Sequence, residues 1–389
     1  MTTRQSRARR LRRRVNRRVY RLLFRLYRRV FPTPPWTGPL TPQLVRRILV
    51  IRDDRVGDMV LTTPLLSFLR EIAPQAEIDV LASRANAAIV KHDRRIARVF
   101  INDRTWRWWV LALPRIRARG YDLIINPITR HPYRQGLVMS LLATRRTYKV
   151  SGWRPVRFQG LFTKAFRIPR RATHMAAAIL AVGQLAFGRR DMLGREGMDR
   201  YPVYLPPDAE SDARIAEFLV AHRLNRFVLV NVSAAGARWR EWPPHQAAVV
   251  VRQLLARHEG LSVVVTRVPD KEDRAAEVSR LCGDGRVFVA PLLSLLGLIA
   301  LTRRALMVIT TDTALVHIAS ATGRPVVALY APQHPNDVPL WLPLGVPYRA
   351  VVSALRGVVG DVAPGTVAAA ADELLGEVEQ TSTVAGASG

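Results

Sequence analysis

A single acid, Asp58, follows Gly57 in RILVIRDDRVGDMVLTTPLLSFLR, residues 47–70. The run reads as an apolar strand, a tight polar turn and a helix, with the carboxylate where turn becomes helix. A carboxylate there can take a proton from a hydroxyl nucleophile. It can equally cap the helix by accepting from orphan N–H groups, and the local residues favour neither reading. Asp53 and Asp54 sit between Arg52 and Arg55 and read as ion-paired turn residues.

Three further runs carry candidate chemistry. In MVITTDTALVHIAS, residues 307–320, Asp312, Thr313 and Ala314 open a helix with His317 one turn on. Small and hydroxyl residues at a helix N-terminus leave backbone N–H groups for phosphate oxygens, and the helix dipole adds to this. The plainer alternative is capping by Asp312 or Thr313, with His317 a satisfied histidine. In VNVSAAGARWREWPPHQ, residues 230–246, Ser233, Gly236, Arg238 and Arg240 lie between a strand and a proline-led helix start. Small residues and positive charge suit a diphosphate, although the arginines could also be solvated. In VVVTRVPDKED, Asp270 follows a strand end, where an acid either binds ribose hydroxyls or caps the next helix.

Elements that would position these residues alternate along the chain. The pattern predicts strands at 47–52, 77–82, 97–101, 122–126 and 145–150, with helices at 60–73, 85–92, 135–143 and 173–188. After a break at 189–208 the rhythm resumes. Strands are expected at 226–232, 261–266, 286–289, 305–310 and 325–330, with helices at 244–258, 271–281, 294–302 and 313–322. A final helix is expected over 364–379, followed by a frayed tail. Such βαβ alternation predicts doubly wound parallel sheets, and ligands bind at the carboxyl ends of their strands. The expected organisation is an arm at 1–31, a linker at 32–43, lobes at 44–200 and 201–363, and a C-terminal helix and tail at 364–389. The linker PTPPWTGPLTPQ holds five prolines and reads as stiff and extended.

Composition narrows the class. Apolar residues make up 49%, which indicates a globular chain, and the one cysteine, Cys282, excludes a disulfide framework and points to the cytosol. No apolar run reaches the length needed to span a bilayer. Of the net charge of +30, residues 1–30 supply thirteen arginines and no acid, so the body is basic as well. Anionic partners follow from that field. Leu11, Val15, Val19, Leu22, Leu26 and Val30 fall on one face of an arginine-rich helix. It suits an anionic bilayer interface; the alternatives are docking on the protein's own body and, third, RNA. There is no G-x-G-x-x-G, no P-loop, no G-x-S-x-G, no C-x-x-C or H-E-x-x-H, and no D-x-D pair.

The order of these elements resembles glycosyltransferase family 9, the lipopolysaccharide heptosyltransferases. The family's R-x-D-x-x-G-D-x-x-x-T-x-P reads RDDRVGDMVLTTP from Arg52 to Pro64. Its C-terminal D-T-G-x-x-H helix, strand and turn read TDTALVHIASATGRPVVALYAP from Thr311 to Pro332, and its W-P element is Trp242-Pro243. The likeness covers about residues 46–335. It implies a GT-B fold, two Rossmann-like domains facing a cleft. It also implies an inverting, metal-independent transfer of a sugar from a nucleotide donor, often ADP-heptose, to a lipid-linked acceptor, with no cofactor.

By motif position the resemblance makes Asp58 the base and Arg240 the cation at the leaving diphosphate, with Arg238 in the same donor set. Asp312, Thr313 and Ala314 fall at the donor sugar and diphosphate, Asp270 at the ribose, and His317 on the matching helix; Ser233 belongs to the same donor set. Two departures stand out: Ala314 replaces a glycine, and Thr266, Arg267 and Val268 stand where glycines precede the ribose acid. The expected setting is the cytoplasmic face of an inner membrane, with residues 1–31 on the anionic surface. The rivals are a UDP- or GDP-sugar transferase or epimerase, and a non-catalytic basic scaffold holding acidic lipid or nucleic acid.

Overall fold

Alternate residues of β1 (Arg47–Arg52) face opposite ways. Ile48 and Val50 enter one apolar cluster, Leu49 and Ile51 another, and all four are buried. A strand buried on both faces needs helices on both sides of its sheet, which is the setting of parallel sheets. The computed structural model describes Val30 and residues 33–387, apart from 104, 128–131, 153–160, 169–173, 235–237, 269–272, 333–336 and 355–356. The helix expected over 1–31 lies outside the described residues except for Val30.

The remaining strands are β2 (Glu77–Ala82), β3 (Arg98–Ile101), β4 (Leu123–Asn126), β5 (Tyr148–Gly152), β6 (Lys164–Phe166), β7 (Phe227–Asn231), β8 (Ser262–Val265), β9 (Val287–Val289), β10 (Met307–Thr311), β11 (Val326–Tyr330) and β12 (Tyr348–Val352). They form two six-stranded sheets, ordered β3-β2-β1-β4-β5-β6 and β12-β11-β10-β7-β8-β9. Every pairing is parallel. Each sheet follows the doubly wound order, so the chain reverses direction between β1 and β4 in the first lobe and between β7 and β10 in the second. In such sheets ligands bind at those two points.

The helices are α1 (Val56–Val60), α2 (Thr63–Ile72), α3 (Leu113–Ala118), α4 (Pro132–Leu142), α5 (Met175–Ala186), α6 (Arg195–Arg200), α7 (Ala209–Ala221), α8 (Pro244–Arg257), α9 (Arg274–Cys282), α10 (Leu295–Arg304), α11 (Ala314–Ala321) and α12 (Pro364–Ala387). One apolar cluster runs from Ile48 and Val50 through Leu315 and Ala319 to Phe227 and Leu229, so the lobes share a core. Among the described residues no helix is long and apolar enough to cross a membrane.

Several elements depart from the sequence pattern. The helix expected at 60–73 is two helices, because Pro64 has no N–H to give the Val60 carbonyl. The Thr63 hydroxyl donates to that carbonyl instead, at 2.8 Å. The helix expected at 85–92 is a 3-10 turn at Ala87–Val90. The last helix runs to Ala387, past the end expected at 379. The linker lies against the first lobe: Trp36 packs edge-on to Tyr148 and Phe166, and Leu40 N–H donates to the Ala186 carbonyl. Strands β6 and β12 at sheet edges, and helices α3, α6 and α7, are elements that the pattern did not predict; α6 lies inside the break expected at 189–208.

Candidate active site

The turn after β1 is fixed from beneath by neighbouring strand ends. Buried Asn86 donates to the Arg52 carbonyl at 2.9 Å and to the Arg55 carbonyl at 3.3 Å. Ser83 Oγ donates to the Asp54 carbonyl, and Asn102 Nδ2 to Asp53 Oδ2. Asp58 is the third residue of α1, and Arg55 holds the N-cap position without a side-chain cap, so Asp58 is not the N-cap. Its carboxylate pairs with Arg52, Nη2 to Oδ1 at 2.9 Å. Arg52 Nε also reaches the Asp58 carbonyl at 3.1 Å and Asp54 Oδ1 at 3.3 Å. A planar fork serving several acceptors holds the carboxylate in one orientation. Asp54 is ion-paired as its sequence position suggested, but the same arginine also grips Asp58.

In the second lobe three strand ends converge on Asn231. Its Nδ2 donates to Thr310 Oγ1 and the Ser233 carbonyl, both at 3.0 Å. Its Oδ1 accepts from Thr266 Oγ1 at 3.0 Å and from Ser233 N–H at 3.3 Å. Thr310 Oγ1 lies 3.2 Å from Thr313 Oγ1. Thr313 is the N-cap of α11 and accepts from Leu315 N–H at 3.3 Å. This network fixes the start of α11 relative to the turn carrying Ser233. Arg240, at the end of a 3-10 turn Arg238–Arg240, reaches back to Asp312, with Nη1 3.2 Å from both its carbonyl and its Oδ2. Burial pushes the Asp312 carboxyl above the usual range, and Arg240 and then Arg55 oppose that shift.

The two turns meet across the lobes. A Cβ added to Gly57 would lie 2.9 Å from His317 Cδ2 and 3.4 Å from Ala314 Cα. The glycine of the first motif therefore makes room for the His317 ring of the second, with Ala314 beside it. His317 is buried, and its pKa is driven down to about 3 by burial first and then by His174, against the opposing charge of Asp58. Its ring lies 6.0 Å from that of Trp341. His174, the N-cap of α5, accepts from Ala176 N–H on Nδ1, so Nε2 carries the proton and donates to the Leu342 carbonyl at 2.9 Å. That bond ties the first lobe to the second.

The structure thus brings Asp58, Arg240, Asp312, Thr313, Ala314 and His317 to one junction between the lobes, with buried Ser233 in the network behind it. Arg238 is exposed at the other end of its turn. Asp270 lies outside the described residues. Sequence reasoning missed Arg52 as the partner of Asp58, Asn231 as the organiser of three strand ends, and His174 as an interlobe tie. A polar residue closing an otherwise apolar strand was the signal for the first two. Buried polar atoms without hydrogen-bond partners among the described residues include His317 Nδ1, Thr311 Oγ1, Arg240 Nε and, at the first lobe's reversal point, Asn126 Nδ2. Among the described residues no three His, Cys, Asp or Glu side chains gather into a metal-holding group.

The arrangement opposes a fixed carboxylate to a cation and a helix N-terminus, which suits proton removal beside a leaving diphosphate. Residues 114–357, more than half of the chain, match the family described as glycosyltransferase family 9 (heptosyltransferase). The chain is 26% identical over 292 residues to lipopolysaccharide heptosyltransferase 3 of Escherichia coli, an alignment covering 70% of this chain and 80% of that relative. Its fold is similar to the family 9 glycosyltransferase of Veillonella parvula, with a TM-score of 0.71, 22% identity, and coverage of 85% of this chain and 98% of that one. It is similar also to the E. coli ADP-heptose LPS heptosyltransferase II, with a TM-score of 0.68, 20% identity, and coverage of 86% and 99%.

Proposed function

Because the chain belongs to glycosyltransferase family 9, the heptosyltransferases, we propose that it moves heptose from ADP-heptose to a lipopolysaccharide core, with inversion and without a metal ion. The names of the E. coli relatives support the sugar, the nucleotide and the acceptor. One observation carries the reading: the turn bearing Asp58 and the helix start bearing Asp312 and Thr313 touch through Gly57 and Ala314.

In this mechanism the acceptor hydroxyl gives its proton to Asp58 as it attacks the anomeric carbon. Arg52 aims the carboxylate. The departing diphosphate gains negative charge at the N-terminus of α11, where the helix dipole and Arg240 meet it. Arg240 is within 3.2 Å of the Asp312 carbonyl, so a diphosphate beside Thr313 would share it with Asp312. The sugar passes through an oxocarbenium-like state, and attack from the face opposite the diphosphate inverts the anomeric centre. Asp270 is assigned to the ribose by its motif position. Residues 1–31 are assigned to the anionic inner leaflet by their charge.

The test is Asp58→Asn in the full chain, with ADP-heptose and a lipid A-core acceptor. Turnover should fall by about a hundredfold or more, while ADP still raises the melting temperature. Unchanged turnover would remove Asp58 from the reaction. Activity lost in EDTA would refute metal independence, and a retained anomeric configuration would refute inversion. A melting temperature raised by UDP or GDP but not by ADP would reassign the donor.

A further inference from the structure

The segment between β3 and α3 carries an apolar surface that the transfer reaction does not use. Strand β3 ends at Ile101, which pairs with Ala82, and Ala82 pairs with Arg52, so the three form one row across the sheet. The chain therefore leaves β3 on the same carboxyl edge from which Asp58 rises. It turns into a helix whose bonding widens to a π-helix over Trp108–Ala112, with Leu113 N–H donating to the Trp108 carbonyl. Trp108 is buried in the core beneath and anchors the turn.

Trp106, Trp109 and Val110 all stand exposed on this segment, on either side of buried Trp108. Trp106 is 71% exposed, Val110 60% and Trp109 40%. The Trp109 ring stands edge-on to buried Trp108 at 5.0 Å, so the exposed face is held rather than collapsed. Solvent-facing indoles beside an aliphatic residue cost hydration and call for an occupant. Charge indicates which. Residues 104–121 hold five arginines and no acid, and Arg107 and Arg115 are exposed on this segment. Indoles amid arginines are the composition of a surface that settles at the headgroup level of an anionic bilayer.

We propose that the Trp106–Val110 face docks the first lobe in the interface of an anionic phospholipid bilayer. It does so independently of residues 1–31. The face shares its sheet edge with Asp58, so docking presents that edge to an acceptor embedded in the same leaflet. This last consequence rests on the lipid-linked acceptor proposed above; the docking itself does not.

The experiment uses the full chain and vesicles containing phosphatidylglycerol and brominated phosphatidylcholine, whose bromines quench indoles that reach the acyl boundary. Quenching should be substantial, and the W106F/W109F variant should lose most of it while still sedimenting with the vesicles. A W106S/V110S variant, altered only at exposed positions, should keep its melting temperature and bind at least about tenfold more weakly. Vesicles lacking phosphatidylglycerol should bind the wild-type chain far less. Equal quenching in wild type and W106F/W109F overturns the proposal. So does a dimer in sedimentation velocity that depends on the same residues and appears without quenching, since the occupant would then be a second copy. Quenching is read without turnover, so failure of the transferase reading would leave this result standing.

Discussion

Arg52 Nη2 lies 2.9 Å from Asp58 Oδ1, and neither side chain is more than 3% exposed. A buried ion pair is costly to break from one side, because the remaining charge stays desolvated. Arg52→Ala should therefore destabilise the protein by about 3–5 kcal/mol and lower turnover as well. Arg52→Lys should recover only part of either loss, since an ammonium lacks the planar fork that reaches Asp54, the Asp58 carbonyl and the Asp58 carboxylate from two separate nitrogens. Urea denaturation beside a transfer assay checks both; an R52A protein as stable as wild type would show that the pair is unimportant.

Gly57→Ala sets two effects against each other. Alanine in place of a helical glycine favours α1 by about 1 kcal/mol. The added methyl, however, would lie 2.9 Å from a buried His317 ring that has no flexible end to move. The contact between lobes should lose, giving a small change in melting temperature and at least about a tenfold fall in kcat, since misplacement on the scale of about 1 Å costs up to about a hundredfold. Wild-type kcat in this variant would mean that the lobes need not meet here.

Arg240→Ala should lower kcat by about a hundredfold, the scale of removing one donor from a developing anion. Arg240→Lys should restore part of it, because the charge returns without the fork. Asp312→Asn should cost less in ADP affinity than R240A, because it removes a negative charge beside the proposed diphosphate position. Isothermal titration with ADP separates the three, and tighter ADP binding by R240A than by wild type would exclude Arg240 from the diphosphate site.

Acid should unfold the protein through its buried histidines. Burial holds His174 down to about 4 and His317 to about 3, against 6.5 in an open chain. The unfolded chain takes up protons below pH 6.5 that the folded chain refuses. Stability from these groups is thus complete at neutral pH and falls as pH drops from about 6.5 toward 4, by about 1.4 kcal/mol per pH unit for each histidine. Asn is also a good N-cap, so His174→Asn should keep the fold and flatten the slope. Thermal melts at pH 7, 6 and 5 read this directly; identical slopes in both proteins would contradict it.

The second-lobe elements near the site were legible in the residues themselves. The apolar run from Met307, the small residues after it and the periodic helix place Asp312 and Thr313 at a strand end without any coordinates. The break between α1 and α2 was not read, although Pro64 carries the signal for it. Arg52 was legible only in part, because its chain neighbours Asp53 and Asp54 offered nearer partners than Asp58. The two edge strands escaped because β6 has three residues, too few for a period-two pattern, and β12 is partly exposed.

Local sequence fixes what depends on neighbours along the chain: strand and helix periods, caps, the chemistry available at each turn. It does not fix which turns meet. That Gly57 rests on Ala314, that Asn231 gathers Thr266 and Thr310, and that His174 reaches the Leu342 carbonyl are pairings between residues 35 to 257 positions apart. They arise because two sheets of the same winding bury a shared core, and that packing brings their reversal points into contact.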